Sequence, residues 1–105
     1  MKIQHRDGTV LAPYATAYSK SFFNDWKKLT HSGRYDMRKL KNVMMQMISG
    51  EAPLGLELRD HQLEGSWIGY RECHINGDFL LIYQIYEKKM IFFSRTGTHS
   101  DLYKQ

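Results

Sequence analysis

Residues 66–96 read SWIGYRECHINGDFLLIYQIYEKKMIFFSRT, and their pattern decides the fold. The middle of the stretch, Phe79 to Tyr86, is nearly all apolar or aromatic, as a central strand covered on both faces requires. Asn76-Gly77 precedes it, a strong hairpin signal because these residues accept the positive φ of tight β-turns. Glu87-Lys88-Lys89 marks a second turn. The flanking runs Ser66 to Ile75 and Met90 to Thr96 then form the outer strands, so the pattern predicts a three-stranded antiparallel meander.

Upstream the periodicity changes. Tyr18, Phe22, Trp26 and Leu29 recur at spacings of four, four and three, one face of a helix that His31-Ser32-Gly33 stops. Met37, Leu40, Met44 and Met47 repeat at three or four, with Val43 and Ile48 widening the stripe. Ser32 or Asp36 is positioned to cap this second helix, and Gly50 suits its end. The short link predicts an antiparallel helical hairpin. A methionine-rich stripe can be an adaptable binding surface, but its helical spacing reads as core. Val10 to Ala17 is a further strand candidate, which Pro13 confines to an edge or a strand start. Glu51 to Leu63, with Pro53 and Gly55, reads as a connector. Helices first and a meander after them make an α+β domain: an antiparallel sheet with an N-terminal helical hairpin on one face, leaving the other face for polar side chains and a substrate.

The chain of 105 residues fits one domain spanning 1–105, with 1–10 a loose N-terminal extension. The longest apolar run, Phe79 to Tyr83, falls far short of the ~20 residues that a spanning helix needs, so no membrane association is expected. The polar start, Met1 to Val10, lacks the apolar stretch of a secretory signal. Cys73 is the only cysteine, so neither an internal disulfide nor a cysteine metal cage can form, which fits a reducing cytoplasm. A net charge of +4 favours polyanionic partners.

The chemistry-bearing residues cluster late in the chain. His61, His74 and His99 fall before the first meander strand, at its end, and after the last strand. Glu72 and His74 are two apart on one strand and share a face. Asp78 follows the turn, and Arg95 lies near the end of the last strand. A three-His or two-His-one-carboxylate metal site is conceivable, but no paired spacing such as His-x-x-x-His holds ligands together, and neither metal nor cofactor is expected. Acid–base chemistry is the alternative. Metal-free RNA cleavage needs a base for the ribose 2′-OH, an acid for the departing 5′ oxygen and a cation for the phosphate. Histidine suits the first two roles and arginine the third.

The segment Asp60-His61-Gln62-Leu63-Glu64-Gly65-Ser66-Trp67-Ile68-Gly69-Tyr70-Arg71 resembles the DH-x-L-x-GSW-x-GYR segment of the YafQ branch of RelE-like toxins. Glu72-Cys73-His74 followed by Asp78 matches that family's acidic-x-His-x-x-x-Asp pattern. Arg95-Thr96-Gly97-Thr98-His99 matches its RTGTH ending, and Leu102-Tyr103 its terminal hydrophobic–aromatic pair. The resemblance implies a RelE-like fold and a type II toxin: an endoribonuclease that cuts mRNA on the 70S ribosome and is neutralised by a cognate antitoxin. It carries catalytic roles to His61, Glu72, His74, Asp78 and His99, phosphate binding to Arg95 and base stacking to Tyr103. Glu72 stands where the best-known members have Asp, and Tyr103 where relatives often have Phe. On this reading His99 is the general acid, His61 or His74 the base, and Asp78 or Glu72 orients an imidazole. Gyrase-poisoning and non-catalytic RNA-binding members of the same fold are the competing readings, and the histidine set argues against the first.

One geometric expectation is sharp. A strict two-residue loop at Asn76-Gly77 would pair His74 with Phe79 and point Asp78 away from it. A longer or bulged loop would let Asp78 turn toward His74, and the longer loop is predicted if Asp78 serves the site.

Overall fold

The computed structural model describes residues 3–4, 10–11, 14–52 and 56–103. Strands β1 (Ile3–Gln4) and β2 (Val10–Leu11) pair antiparallel as a small separate ribbon. The rest of the expected extension over residues 1–10, and Pro13, lie outside the described residues. Strand β3 (Ala15–Tyr18) leads into helices α1 (Lys20–Ser32) and α2 (Met37–Gln46). A wider helical turn over Met47–Glu51 follows, broken at Gly50, whose φ of 107° glycine alone tolerates easily. Then come β4 (His61–Gln62), β5 (Arg71–Asn76), β6 (Phe79–Tyr86), β7 (Met90–Gly97) and a terminal helix α3 (His99–Leu102).

The main sheet has the order β3-β7-β6-β5-β4. Strands β4 to β7 form the expected antiparallel meander, extended by one short strand. The N-terminal strand adds to β7 in parallel, so the sheet is mixed at one edge. This strand begins later than Val10, and Tyr18 belongs to it rather than to the helical stripe. Tyr18 is 60% exposed, with its ring 6.3 Å from that of Phe22.

Local chemistry fixes the helix ends. The Ser19 hydroxyl accepts from the Phe22 backbone N–H and donates to the Ser94 carbonyl, which ties the start of α1 to β7. Gly33, at φ 70°, ends α1. Asp36 caps α2 by accepting from Lys39 N–H at 3.0 Å. Ser32 instead donates to the Leu29 carbonyl.

Strand β6 separates two cores. Phe79, Leu81 and Tyr83 pack with Cys73, Ile75, Ile91 and Phe93 against Phe22 and Leu29 of α1 and Leu40, Val43 and Met47 from α2 and the turn after it. The methionine stripe is therefore core, although Met45 stands 63% exposed. Leu80 and Ile82 point the other way, onto Leu63, Trp67, Tyr70, Leu102 and Tyr103. Phe79 to Tyr83 are all buried, as a doubly covered central strand requires.

The expected strand Ser66–Ile75 is only half realised. Gly65–Trp67 is a 3₁₀ turn, and Gly65 and Gly69 sit at φ 65° and 92°, conformations that no strand residue adopts. The segment curls so that Trp67 and Tyr70 meet edge to face at 5.1 Å and roof the second core. The chain before it, read as a connector, supplies β4. The tail forms α3, capped by the Thr98 hydroxyl.

The burial pattern makes a prediction about α2. Leu40→Ala should cost about 2–5 kcal/mol of stability in urea unfolding, because it empties a fully enclosed site. Met45→Ala should stay within about 0.5 kcal/mol. Equal effects would mean that the helix packs by another face.

Candidate active site

Strand registers assemble the site. His61 on β4 lies opposite Glu72 on β5. His74 is two residues further on, and so on the same face. His74 pairs with Leu80 on β6, and Leu80 pairs with Gly97 on β7. The chain leaves the sheet there, and His99 opens α3 two residues later. Thus three histidines far apart in sequence meet at one end of the sheet.

Their common partner is Glu72, only 3% exposed. Its Oε1 lies 3.5 Å from His74 Nε2, 3.6 Å from His61 Nε2 and 3.9 Å from His99 Nε2. The ring centres of His61 and His74 are 6.2 Å apart, and those of His74 and His99 6.0 Å. Tyr103 donates its hydroxyl to the other oxygen, Glu72 Oε2. Burial and this carboxylate push the Tyr103 phenol up, so it stays a donor. The residue expected to stack on a base therefore also holds the central carboxylate, and its ring lies 5.7 Å from that of His99.

The far nitrogens of the imidazoles differ. His61 Nδ1 is 2.6 Å from the Arg59 carbonyl, which can only accept, so Nδ1 carries the proton there. His99 Nδ1 is 2.5 Å from Asp78 Oδ1, which also accepts from the His99 backbone N–H. These hydrogen bonds hold the Asp78 carboxyl below the usual carboxylate range. His74 Nδ1 has two neighbours, Arg59 Nη2 at 3.0 Å and the Gly77 carbonyl at 3.1 Å.

The turn beside Asp78 takes a form between the two expected ones. The loop is two residues, but they are Gly77-Asp78, since Asn76 pairs with Phe79. A bulge at Ile75 absorbs the shift and leaves His74 opposite Leu80. Gly77 takes the positive φ of 55°. The loop is thus bulged rather than longer, and it turns Asp78 toward His99 rather than into hydrogen-bond contact with His74.

Arg95 stands apart from this group. A second register shift in β7 leaves Ser94 unmatched between Tyr83↔Phe93 and Ile82↔Arg95. The Arg95 guanidinium reaches α1, where Nε and Nη2 donate to the two oxygens of Asp25 at 2.7 and 3.1 Å. That carboxylate, through its hydrogen bonds, raises the Arg95 pKa further.

Two residues here were not assigned a role from sequence. Arg59, next to the imidazoles, is an isolated arginine in what reads as a connector, and no local pattern marks it. Asp60 immediately precedes His61, and that adjacency was the available signal. Its carboxylate has no solvent exposure and accepts from Arg71 Nε at 2.8 Å and from the Tyr83 hydroxyl.

His61, Glu72 and His74 could together hold a metal ion: one donor atom from each lies within 4.8 Å of the others. Two imidazoles and a carboxylate are a usable set for a transition metal. Glu72 and His74 are two apart on β5, and strand pairing rather than sequence spacing brings His61 to them. Buried Cys73 contributes no thiolate, since desolvation pushes its thiol far up.

Comparison with known proteins agrees with this architecture. The family described as a bacterial toxin of type II toxin–antitoxin system, YafQ, matches residues 14–104. The Escherichia coli K12 protein named mRNA interferase toxin YafQ is 41% identical over 90 residues, covering 86% of this chain and 91% of that protein. The E. coli DinJ–YafQ complex contains a chain that superposes with a TM-score of 0.74 at 40% identity, covering 86% of this chain and 98% of that one. A metal-bound toxin from Helicobacter pylori superposes with a TM-score of 0.72 at 36% identity, covering 85% and 98%. With the sheet, the histidine cluster and these matches in agreement, the chain belongs to the YafQ family of type II toxin–antitoxin toxins.

Proposed function

We propose that this chain is a ribosome-dependent mRNA endoribonuclease that works by metal-independent general acid–base catalysis. The observation that carries this reading is the gathering of three imidazole Nε2 atoms within 4 Å of one buried carboxylate oxygen. Two of these rings, His61 and His99, are half exposed and open to a substrate.

The Nδ1 contacts suggest a division of labour. In neutral His61 the proton sits on Nδ1, so Nε2 carries the lone pair and can take the 2′-OH proton. His99 lies between the Asp78 and Glu72 carboxylates, which orient the imidazole that protonates the departing 5′ oxygen. The O2′–P bond forms, the P–O5′ bond breaks, and the products are a 2′,3′-cyclic phosphate and a 5′-OH. Glu72 and Asp78 orient imidazoles. Arg95 remains a candidate phosphate ligand, provided that it leaves Asp25.

E. coli YafQ has been crystallised in complex with DinJ, which supports a cognate antitoxin as this chain's partner. A basic protein of net charge +4 would attract rRNA and mRNA, and an acidic antitoxin segment would compete with them in the cytoplasm. No described helix is long and apolar enough to cross a membrane. A gyrase-poisoning role gives no reason for the histidine cluster, and unchanged gyrase supercoiling would remove it.

A specific observation supports a second reading of the same residues. The two-His-one-carboxylate geometry, with a metal-bound H. pylori relative, fits a metal that occupies the site as an inhibitor.

Three outcomes are expected. First, His99→Ala should lower cleavage of ribosome-bound mRNA on the order of 10²–10⁴-fold, and mass spectrometry of wild-type products should find 5′-OH ends. Normal cleavage by the variant would sink the acid assignment, and 5′-phosphate ends would sink the chemistry. Second, cleavage should persist in EDTA once the ribosomes' own Mg²⁺ has been rebalanced, and added Zn²⁺ or Cu²⁺ should inhibit. Loss of activity on chelation, restored by trace transition metal, would reverse that reading. Third, Tyr103→Phe keeps a stacking ring and removes the bond to Glu72. It should lower the cleavage rate by about tenfold with little change in mRNA affinity, whereas a variant weakened only in binding would leave stacking as the whole role.

A further inference from the structure

Arg59 adopts φ 50°, a left-handed conformation uncommon for a residue with a side chain. Such conformations persist where the surroundings over-determine them, and they collect at functional sites. Here the conformation brings one exposed residue against two of the three imidazoles. Its carbonyl fixes His61 Nδ1 at 2.6 Å, and its guanidinium meets His74 Nδ1 at 3.0 Å.

The partners of the neighbouring arginines sharpen the point. Arg95 is spent on Asp25 through two hydrogen bonds, and Arg71 is held by Asp60. Among the described residues, no carboxylate lies within ion-pair distance of Arg59. Its guanidinium, always charged and able to donate five hydrogen bonds, faces a neutral ring nitrogen instead. That is a weak partner for a cation, and a phosphate offers a stronger, bidentate one.

The contact with His74 is also replaceable. A guanidinium can only donate, so while Arg59 is there His74 Nδ1 must be an acceptor. The Gly77 carbonyl at 3.1 Å can only accept, so that partner requires Nδ1 to be a donor. The two arrangements exclude each other, and both partners are already within reach.

We propose that Arg59 is the phosphate-binding cation of the active site. In the free protein it rests on His74 Nδ1. When RNA enters, it moves to the phosphate beside the three imidazoles, and the ring proton of His74 shifts through solvent from Nε2 to Nδ1, where the Gly77 carbonyl accepts it. This assignment rests on the RNA-cleaving reading of the site but names a ligand that the family pattern does not.

Arg59→Gln tests it by keeping the stem and removing the charge, with Arg59→Lys as the charge-retaining companion and Arg95→Gln as the control. Each protein is titrated with a short RNA methylated on every ribose 2′-oxygen, so that it cannot be cut, and imidazole ¹⁵N resonances are followed by NMR. Wild type should bind, with His74 Nδ1 moving from acceptor-like to donor-like shifts. Arg59→Gln should bind about tenfold or more weakly, with His74 Nδ1 already donor-like before any RNA is added. Arg59→Lys should recover part of the affinity. Wild-type affinity in Arg59→Gln, with loss in Arg95→Gln, would overturn the assignment and return the role to Arg95. Failure of wild type itself to bind would overturn this assignment alone, while the RNA-cleaving reading beneath it stands or falls on cleavage of ribosome-bound mRNA.

Discussion

The gathering of three histidines at one end of the sheet depends on one buried carboxylate. Glu72 is almost wholly out of solvent, where an ionised carboxyl is costly unless charges or donors compensate it. The compensation comes from four side chains on three elements: His61 from β4, His74 from β5, His99 from the start of α3 and Tyr103 from its C-terminal cap. Without the carboxylate, three imidazoles about 6 Å apart would face one another with no negative charge between them. The short β4 and the terminal helix bring their partners to this oxygen, and the bulge at Ile75 sets the turn that directs Asp78 to His99.

A second buried acid holds the first in place. Asp60 and His61 are neighbours, and strand alternation sends their side chains to opposite faces. Asp60 turns to the helix side, where it accepts from Tyr83 and Arg71 and joins β4 to β5 and β6. Burial works against the Arg71 charge, yet Asp60 more than offsets it, and the Tyr83 phenol is pushed far up by burial and by the same carboxylate. Both donors therefore remain donors. The Asp-His pair is one anchored residue and one half-exposed residue, and the rigidity of the first sets the direction of the second.

The meander and both helices were legible because they rest on periodicity. Phe79 to Tyr83 needed two cores, and its unbroken apolar run says so. Leu40, Val43 and Met47 share a face for the same reason. The histidines were legible as a set, since the motifs around them are dense. What the sequence concealed depends on backbone geometry without a periodic signature. Gly65 and Gly69 break a run that otherwise reads as strand. The bulge at Ile75 moves the turn by one residue, and no residue type announces it. Arg95 was matched to phosphate by its motif, but its observed partner Asp25 lies 70 positions away on a helix, a distance over which sequence pattern carries no information. Arg59 lay in an unpatterned connector, and only its strained φ and its neighbours single it out.

The departures of this chain from the expected family residues form a connected pair. Glu72 has one methylene more than Asp, and with it one more rotatable bond. Left alone, that freedom would blur the position of Oε1, whose value to the site is its placement among three Nε2 atoms. A phenylalanine at position 103 could pack beside His99 but could not restrain the carboxylate. The hydroxyl of Tyr103 takes Oε2 and leaves Oε1 directed at the imidazoles. The longer acid and the hydroxylated ring therefore make sense together, because the reach added by one is held by the other.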